Sequence, residues 1–138
     1  MNVTLTLTGR QTDESGIENI TETETHAEYY EKNGTLYIFY EETPEGTNAT
    51  IKNTIKLKNH VLEMSKKGAY TTHMVFDSAH DFQADYQTPF GSLLLDIHTE
   101  SVTCVYQDEL PRISAKYTLR SGEQLIAATK LTIKLRKE

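Results

Sequence analysis

The sequence has no tryptophan, and only one cysteine and three prolines among its 138 residues. The single cysteine, Cys104, excludes an internal disulfide, which agrees with a reducing compartment. The length fits one domain, residues 1–138, and it is sufficient to bury a core without metal or disulfide staples. We therefore expect a fold that is stabilised by side-chain packing alone.

The chain also lacks the signals of membrane insertion and export. No apolar run approaches the length of a membrane span, and the N-terminus has no basic region followed by an apolar one. We expect a cytoplasmic protein that has no membrane partner. Lys and Arg number 14 against 20 Asp and Glu, and the resulting net charge of −6 argues against nonspecific binding to nucleic acid.

Motifs for catalysis and for cofactor binding are missing as well. There is no Gly-rich phosphate loop and no Ser in an elbow motif. The five histidines are His26, His60, His73, His80 and His98. None has a tight ligand spacing with another histidine, and a solvated turn explains the group Asp77, His80 and Asp81 better than a metal site does. We predict no catalytic residue, no metal and no cofactor.

What the sequence does contain is apolar residues at every second position, which is typical of half-buried strands. Leu93, Leu95 and Ile97 share one face, and the same pattern runs through residues 113–119 and 125–135. About nine or ten such strands, joined mostly by short turns, predict an all-β fold. A single antiparallel meander of about eight to ten strands buries one face and hides its edges by closing into a barrel. A two-sheet sandwich is the alternative.

Two hairpin turns define the predicted strand register. Asn33-Gly34 fits a two-residue type I′ turn, which pairs Lys32 with Thr35, Tyr30 with Tyr37 and Ala27 with Tyr40. Because burying unpaired carboxylates is costly, the face with the glutamates should lie outside, unless a bulge near His26 reverses part of the strand. The residues then expected inside are Ala27, Tyr29, Leu36, Ile38 and Tyr40. Those left outside are Tyr30, Tyr37 and Phe39.

The second hairpin turns at Asn59-His60 and joins residues 48–58 to residues 61–66. It places Lys56 opposite Glu63 on the outer face. A loop is predicted from Gly9 to Gly16, and a turn at Asp77–His80 with a single helical turn as the alternative. Strands are predicted from Tyr70 to Phe76 and from Phe82 onwards, and the second strand leads into a turn at Pro89. The remaining connections are a tight turn near Thr99-Glu100, a loop from Asp108 to Pro111 and a three-residue turn at Ser121-Gly122-Glu123.

Several short motifs resemble a known family. They are Ala27-Glu28-Tyr29-Tyr30, Lys66-Lys67-Gly68, Phe76, Tyr86-Gln87-Thr88-Pro89-Phe90-Gly91, Arg112-Ile113-Ser114 and Tyr117. With these motifs the chain resembles, over nearly its whole length, the YwiB-like proteins, a bacterial family of uncharacterised small β-barrels. The resemblance implies a calycin-like barrel, the architecture class of lipocalins and streptavidin, and it implies no activity. Lys66 stands where the family pattern has Arg, and an ammonium does not replace a bidentate guanidinium in kind.

The candidate functional residues are mostly aromatic. A barrel of about eight strands either fills with side chains or holds one small ligand. The residues predicted to line such an interior are Tyr29, Tyr40, Tyr86 and Tyr117, with Lys66 or Arg112 near a mouth. The alternative is a filled core whose tyrosine hydroxyls reach the rim. Cys104 alternates with Val102 and Tyr106 and is expected to be a wall residue.

Two functions from different classes follow from this pattern. The first is a non-enzymatic barrel that binds a small, partly apolar ligand, with an anionic ligand as one option. The second is a structural or interaction protein with a filled barrel, acting as a homodimer or adaptor through Tyr30, Tyr37 and Phe39 on its outer face. An enzyme ranks last, because no convergent set of polar residues is visible in the sequence.

Overall fold

The computed structural model describes residues 1–68, 71–88 and 91–138, with Thr88 described by its backbone alone. The described part of the chain contains ten strands and no helix. The strands are β1 (Asn2–Thr12), β2 (Glu18–Lys32), β3 (Thr35–Glu42), β4 (Ile51–Lys58), β5 (Val61–Lys67), β6 (Thr72–Phe76), β7 (Phe82–Thr88), β8 (Gly91–Gln107), β9 (Leu110–Ser121) and β10 (Gln124–Lys137). The predicted strand start at Tyr70 and the predicted turn at Pro89 lie outside the described residues.

The ten strands form one antiparallel sheet that rolls into a nearly closed barrel. The sheet runs in the order β6-β5-β4-β3-β2-β1-β10-β9-β8-β7, so every strand lies beside its chain neighbours and β1 pairs with β10. The two ends of the sheet, β6 and β7, meet at a seam. There the rings of His73 and Phe82 pack edge to face with centroids 5.9 Å apart, and the backbone N–H of Thr71 donates to the Gln87 side chain at 3.2 Å. The all-β barrel prediction is confirmed.

Alternating side chains from all around the sheet fill the barrel core. Val3, Leu5, Ile38, Ile113 and Ile133 are completely shielded from solvent. Burial of a side chain of this kind contributes about 1.5–3 kcal/mol. The predicted inner face of the first hairpin is confirmed, since every apolar member of it is buried.

The Asn33-Gly34 turn forms as predicted, with φ of 53° at Asn33 and 76° at Gly34. It pairs Lys32 with Thr35 and Tyr30 with Tyr37, and no bulge interrupts β2 near His26. The ladder ends at Glu28 and Phe39, however, so the predicted pairing of Ala27 with Tyr40 is wrong. From Glu18 to Glu28, β2 pairs with β1, while the end of β3, from Tyr40 to Glu42, pairs with β4. The two strands therefore diverge and leave a split in the barrel wall.

The Asn59-His60 hairpin is also confirmed, because both turn residues have positive φ, 51° and 63°. Lys56 lies opposite Glu63, and their charged groups are 3.7 Å apart. The first strand of this hairpin begins at Ile51 rather than at Asn48.

The predicted tight turn near Thr99-Glu100 is wrong. β8 continues through this point, and Glu100 is the extra residue of a β-bulge, since Thr99 pairs with Tyr117 and Ser101 with Lys116. The sequence shows a change in the alternation at this point. Every second residue up to Thr99 points inward, but the next inward residue is Val102 rather than Ser101. A bulge changes the phase without reversing the chain. Leu93, predicted to share a face with Leu95 and Ile97, is 41% exposed, whereas those two residues are buried.

Three other connections differ from expectation, and a fourth is as predicted. β1 extends to Thr12, so only the last part of the predicted Gly9–Gly16 loop is a loop. Asp108-Glu109 is a two-residue turn with positive φ at both positions, and the strand resumes at Leu110. The turn before β10 has two residues, Gly122 and Glu123, and a bulge at Ile126 keeps the inward face inward. The predicted turn at Asp77–His80 is confirmed, as a β-turn and not as the helical turn that was its alternative.

Candidate functional site

One end of the barrel interior contains a cavity of about 170 Å³, which we call the Tyr40 cavity. Its wall is made by strands from both halves of the sheet, which places the cavity inside the barrel. The lining residues are Tyr40, Asn53, Thr54, Ile55, Met64, Ser65, Lys66, Thr72, Met74, Phe76, Tyr86, Tyr117 and Leu131. Tyr40, Lys66, Tyr86 and Tyr117, which the sequence predicts to line an interior or its mouth, all belong to this wall.

Two lining residues of the cavity, Lys66 and Asn53, are hydrogen-bonded to Glu42, which does not itself line the cavity. Lys66 Nζ donates to Glu42 Oε1 at 2.7 Å, and Asn53 Nδ2 donates to the same oxygen at 3.0 Å. Burial acts to raise the pKa of Glu42, but the hydrogen bonds from Lys66 and Asn53 and the Lys66 charge outweigh it and hold the pKa below its ordinary value. Glu42 is therefore ionised at neutral pH, and it neutralises Lys66.

The tyrosines of the cavity act as neutral hydrogen-bonding groups. Burial, followed by the charge of Glu42, raises the pKa of Tyr40 to about 12. Burial also raises the pKa of Tyr117 to about 12. The Tyr117 ring packs on Phe76 with centroids 4.4 Å apart. Tyr86 is 37% exposed and lies where the cavity meets solvent. Such a wall is mostly apolar, with hydroxyl donors at a few points.

Two predicted lining residues lie elsewhere. Tyr29 is buried near Glu31 and Tyr106. Burial and the charge of Glu31 raise the pKa of Tyr29, and the Tyr106 hydroxyl donates a hydrogen bond to the same Glu31. Arg112 alternates with the fully buried Ile113, so it belongs to the outer face. Neither residue lines the Tyr40 cavity. The spacing of residues in the sequence predicts that Tyr29 and Arg112 lie on strands, but it does not predict which end of the barrel they occupy.

A larger cleft of about 590 Å³ lies at the split between β2 and β3, and we call it the split cleft. It is lined by Thr25, His26, Glu28, Phe39, Tyr40, Glu41, Lys52, Asn53, Thr54, Ser65 and Lys67. Residues of both the inner and the outer face contribute to its lining. It shares Tyr40, Asn53, Thr54 and Ser65 with the Tyr40 cavity, so the same part of the sheet borders both spaces.

Sequence reasoning missed several of these residues. Met64, Thr72 and Met74 were not singled out, because a cavity-lining residue and a core residue have the same alternation. Lys52 and Lys67 had a usable signal: the register of the Asn59-His60 hairpin places them opposite each other.

Three aromatic side chains form a patch on the outer face, which we call the outer aromatic patch: Tyr30, Tyr37 and Phe39. The rings of Tyr37 and Phe39 stack with centroids 6.0 Å apart, and Tyr30 lies 6.3 Å from Phe39. Tyr30 is 47% exposed and Phe39 is 40% exposed. Their predicted position on the outside is confirmed.

Other polar groups stay dispersed. Cys104 packs against the core, as its alternation predicts, and burial together with the Glu31 charge raises the pKa of its thiol. A thiol with a raised pKa is a poor nucleophile at neutral pH. Among the residues that the structure describes, no group of three or more His, Cys, Asp or Glu is placed to hold a metal ion. Within the same residues, no helix has the length and apolar character needed to cross a membrane.

The fold and the site together define a small antiparallel β-barrel with an interior cavity and a separate cleft at the split between β2 and β3. The family model for a domain of unknown function, DUF1934, matches residues 5–133. The chain therefore belongs to this family.

Two comparisons agree with the family assignment. The chain is 26% identical over 113 residues to the uncharacterized beta-barrel protein YwiB of Bacillus subtilis (strain 168), across 81% of this chain and 78% of that protein. The crystal structure of the B. subtilis YwiB protein matches 99% of this chain and 92% of its own, with a TM-score of 0.85 and 24% identity. The resemblance to the YwiB-like proteins is confirmed, and the structural likeness concerns the fold.

Proposed function

We propose that this protein is a non-enzymatic binding module that holds a small, partly apolar molecule inside its barrel, as calycins do. The observation that carries the proposal is the Tyr40 cavity, where an apolar wall surrounds a few fixed polar groups. This is the usual composition of a small-molecule site. The cytoplasmic location expected from the sequence stays a prediction.

The size of the cavity limits the ligand. A volume of about 170 Å³ corresponds to roughly six water molecules at about 30 Å³ each, so a fragment of roughly six heavy atoms fits inside. Ligand pockets usually measure about 300–1,000 Å³. The Tyr40 cavity falls below that range, but the split cleft, which the same part of the sheet borders, has about 590 Å³ for the remainder of a larger molecule.

Methionine methyl groups provide a direct test. The chain has three methionines; Met64 and Met74 line the Tyr40 cavity, whereas Met1 is 56% exposed and does not. In protein labelled with ¹³C at the methionine methyls, titration with hexanol should shift the signals of Met64 and Met74 and leave Met1 unchanged. Equal shifts at all three methyls, or none at Met64 and Met74, would refute the proposal.

A pair of variants makes the test specific. Thr72→Ile replaces a hydroxyl in the cavity wall with a bulkier ethyl group, and we expect it to abolish the hexanol shifts. Thr35→Ile is the matched control, since Thr35 is similarly buried, 5% exposed against 7% for Thr72, and does not line the cavity. Native mass spectrometry of gently purified protein should also show an added mass that disappears on denaturation.

The outer aromatic patch favours a second candidate function, a homodimer contact. Exposed aromatic rings beside one another are frequent at interfaces. The rim of the patch has both signs of charge, because Glu28 accepts a hydrogen bond from Tyr30 and Lys56 lies opposite Tyr37. A two-fold contact requires such self-complementarity. Light scattering at tens of micromolar should then report a dimer that Tyr37→Ser dissociates, and a monomeric parent protein would exclude it.

A further inference from the structure

Two lysines of the split cleft face each other, and no described residue forms an ion pair with either of them. Lys52 and Lys67 are direct cross-strand partners on β4 and β5, and both line the cleft. Neither ammonium group has an ion-pair partner within 4.0 Å among the described residues. The neighbouring Lys56 and Lys66, in contrast, form ion pairs at 3.7 Å and 2.7 Å.

This arrangement opposes folding. Like charges directly opposite each other on a sheet are destabilising, and substitution of either lysine would remove the repulsion. Glu28 and Glu41 also line the cleft, and Glu41 lies opposite Lys52 on β3, yet neither approaches a lysine within ion-pair distance. An anion between the two ammonium groups would convert the repulsion into two attractions. Ammonium groups are compact charges with three donors, which suits a phosphate or a carboxylate.

The position of the lysine pair relates it to the interior. On the same face, the next cross-strand pair towards the turn is Thr54 and Ser65, and both of these residues line the Tyr40 cavity as well. Ser65 is already hydrogen-bonded to His73 at 2.8 Å, which leaves the Thr54 hydroxyl as the nearer additional donor. The lysines lie on the outer face and Tyr40 and Asn53 point inward, but all four line the split cleft, so a molecule in the cleft contacts the lysines and also the two residues that border the Tyr40 cavity.

We propose that Lys52 and Lys67 form an anion subsite for the head group of the ligand whose apolar part occupies the Tyr40 cavity. The inference rests on the proposed function and specifies its ligand class, a small amphiphile with one carboxylate or phosphate head. Glu42 already neutralises Lys66, so the unpaired lysines at the cleft, rather than Lys66, select the anion.

Three probes with the same six-carbon chain test the subsite: hexanol, hexanoate and hexyl phosphate. Affinities are measured at low salt from the Met64 and Met74 methyl shifts. Because both lysines are exposed, each charge contact should improve affinity about three- to fivefold over hexanol, and both together about tenfold. The advantage should shrink with added NaCl, since salt screens exposed charges. Comparison of hexanoate with hexyl phosphate identifies the preferred head.

The decisive variant is Lys52→Gln with Lys67→Gln, compared with Lys32→Gln and Lys58→Gln, which removes the same charge from exposed lysines beside the two hairpin turns. The variant without Lys52 and Lys67 should bind all three probes with equal affinity, and the variant without Lys32 and Lys58 should still prefer the anionic probes to hexanol. The single variants should each retain part of it, which keeps the test valid if the double variant folds poorly. Equal loss in both pairs, or no preference in the parent protein, refutes the subsite but leaves the Tyr40 cavity as a binding site. No response of Met64 and Met74 to any probe refutes both proposals.

Discussion

Replacing Phe76 by alanine tests whether the seam end of the barrel is packed as a core. Phe76 is the bulkiest of the fully buried side chains, at 1% exposure, and its ring lies against Tyr117. It is the last residue of β6, the strand at one end of the sheet. The substitution thus removes the contact that fixes this end of the sheet against β9.

The expected loss is about 3–5 kcal/mol, because a truncated buried phenylalanine loses its transfer free energy and leaves a cavity. About 0.5–1.5 kcal/mol of this belongs to the ring pair with Tyr117. A domain typically has about 5–15 kcal/mol of stability, so the variant should stay folded at 25 °C with a much reduced margin. The new space would join the Tyr40 cavity, so we also expect the variant to accept larger apolar probes than hexanol.

Urea unfolding followed by circular dichroism measures this loss, with an unchanged m-value as evidence that the unfolded state is the same. Phe39→Ala is the matched control, since that ring is 40% exposed, and it should lose only about 0.5–1 kcal/mol. A loss below about 1 kcal/mol for Phe76→Ala, equal to that of the control, would show that the seam is not packed as described.

Three further predictions concern the backbone and one carboxylate. Gly34→Ala forces an L-residue to φ of 76°, so it should lose about 1–2 kcal/mol in urea unfolding. Deletion of Glu100 leaves Thr99 and Ser101 paired with consecutive residues of β9 and keeps Val102 inward, so the protein should still fold. Deletion of Thr103 within the regular stretch turns Cys104 and its successors to the other face and should lower the melting temperature far more, whereas deletion of Glu45 in an exposed loop should leave it nearly unchanged. Because the pKa of Glu42 is lowered in the fold, Glu42→Gln should lose about 0.5–1 kcal/mol at pH 7, and the difference from the parent should vanish as the pH falls below about 4. A pH-independent difference would show that the Lys66 contact contributes no net stability.

The hairpins at Asn33-Gly34 and Asn59-His60 were predictable because turn type and register are local properties. A two-residue turn with positive φ at both positions leaves one pairing for the flanking strands, and alternation then specifies which side chains are buried. The same reasoning placed Tyr30, Tyr37 and Phe39 on the outer face. The opposition of Lys52 and Lys67 follows from the same register.

The change of phase after Thr99 shows where local signals are ambiguous. A tight turn and a bulge both shift the inward positions by one residue, and the sequence contains no further mark that separates them. The bulge is favoured because β9 pairs with β8 on both sides of Glu100, from Asp96 to Gln107, which is a long-range contact. The turn before β10 is ambiguous for the same reason. Its loop is one residue shorter than predicted, and the bulge at Ile126 restores the inward face of the strand.

The amino-acid sequence by itself determined the strands, the two hairpin registers and the inner face, because these depend on residues within one or two turns of each other. Only the tertiary structure decided that Tyr40, Lys66, Tyr86 and Tyr117 share a cavity while Tyr29 and Arg112 do not. It also decided that β2 and β3 diverge after Glu28 and open the split cleft. The closure of the sheet determines which side chains share the cavity, since it brings strands from opposite ends of the sheet together. Alternation along one strand contains no information about the distance between residues on different strands.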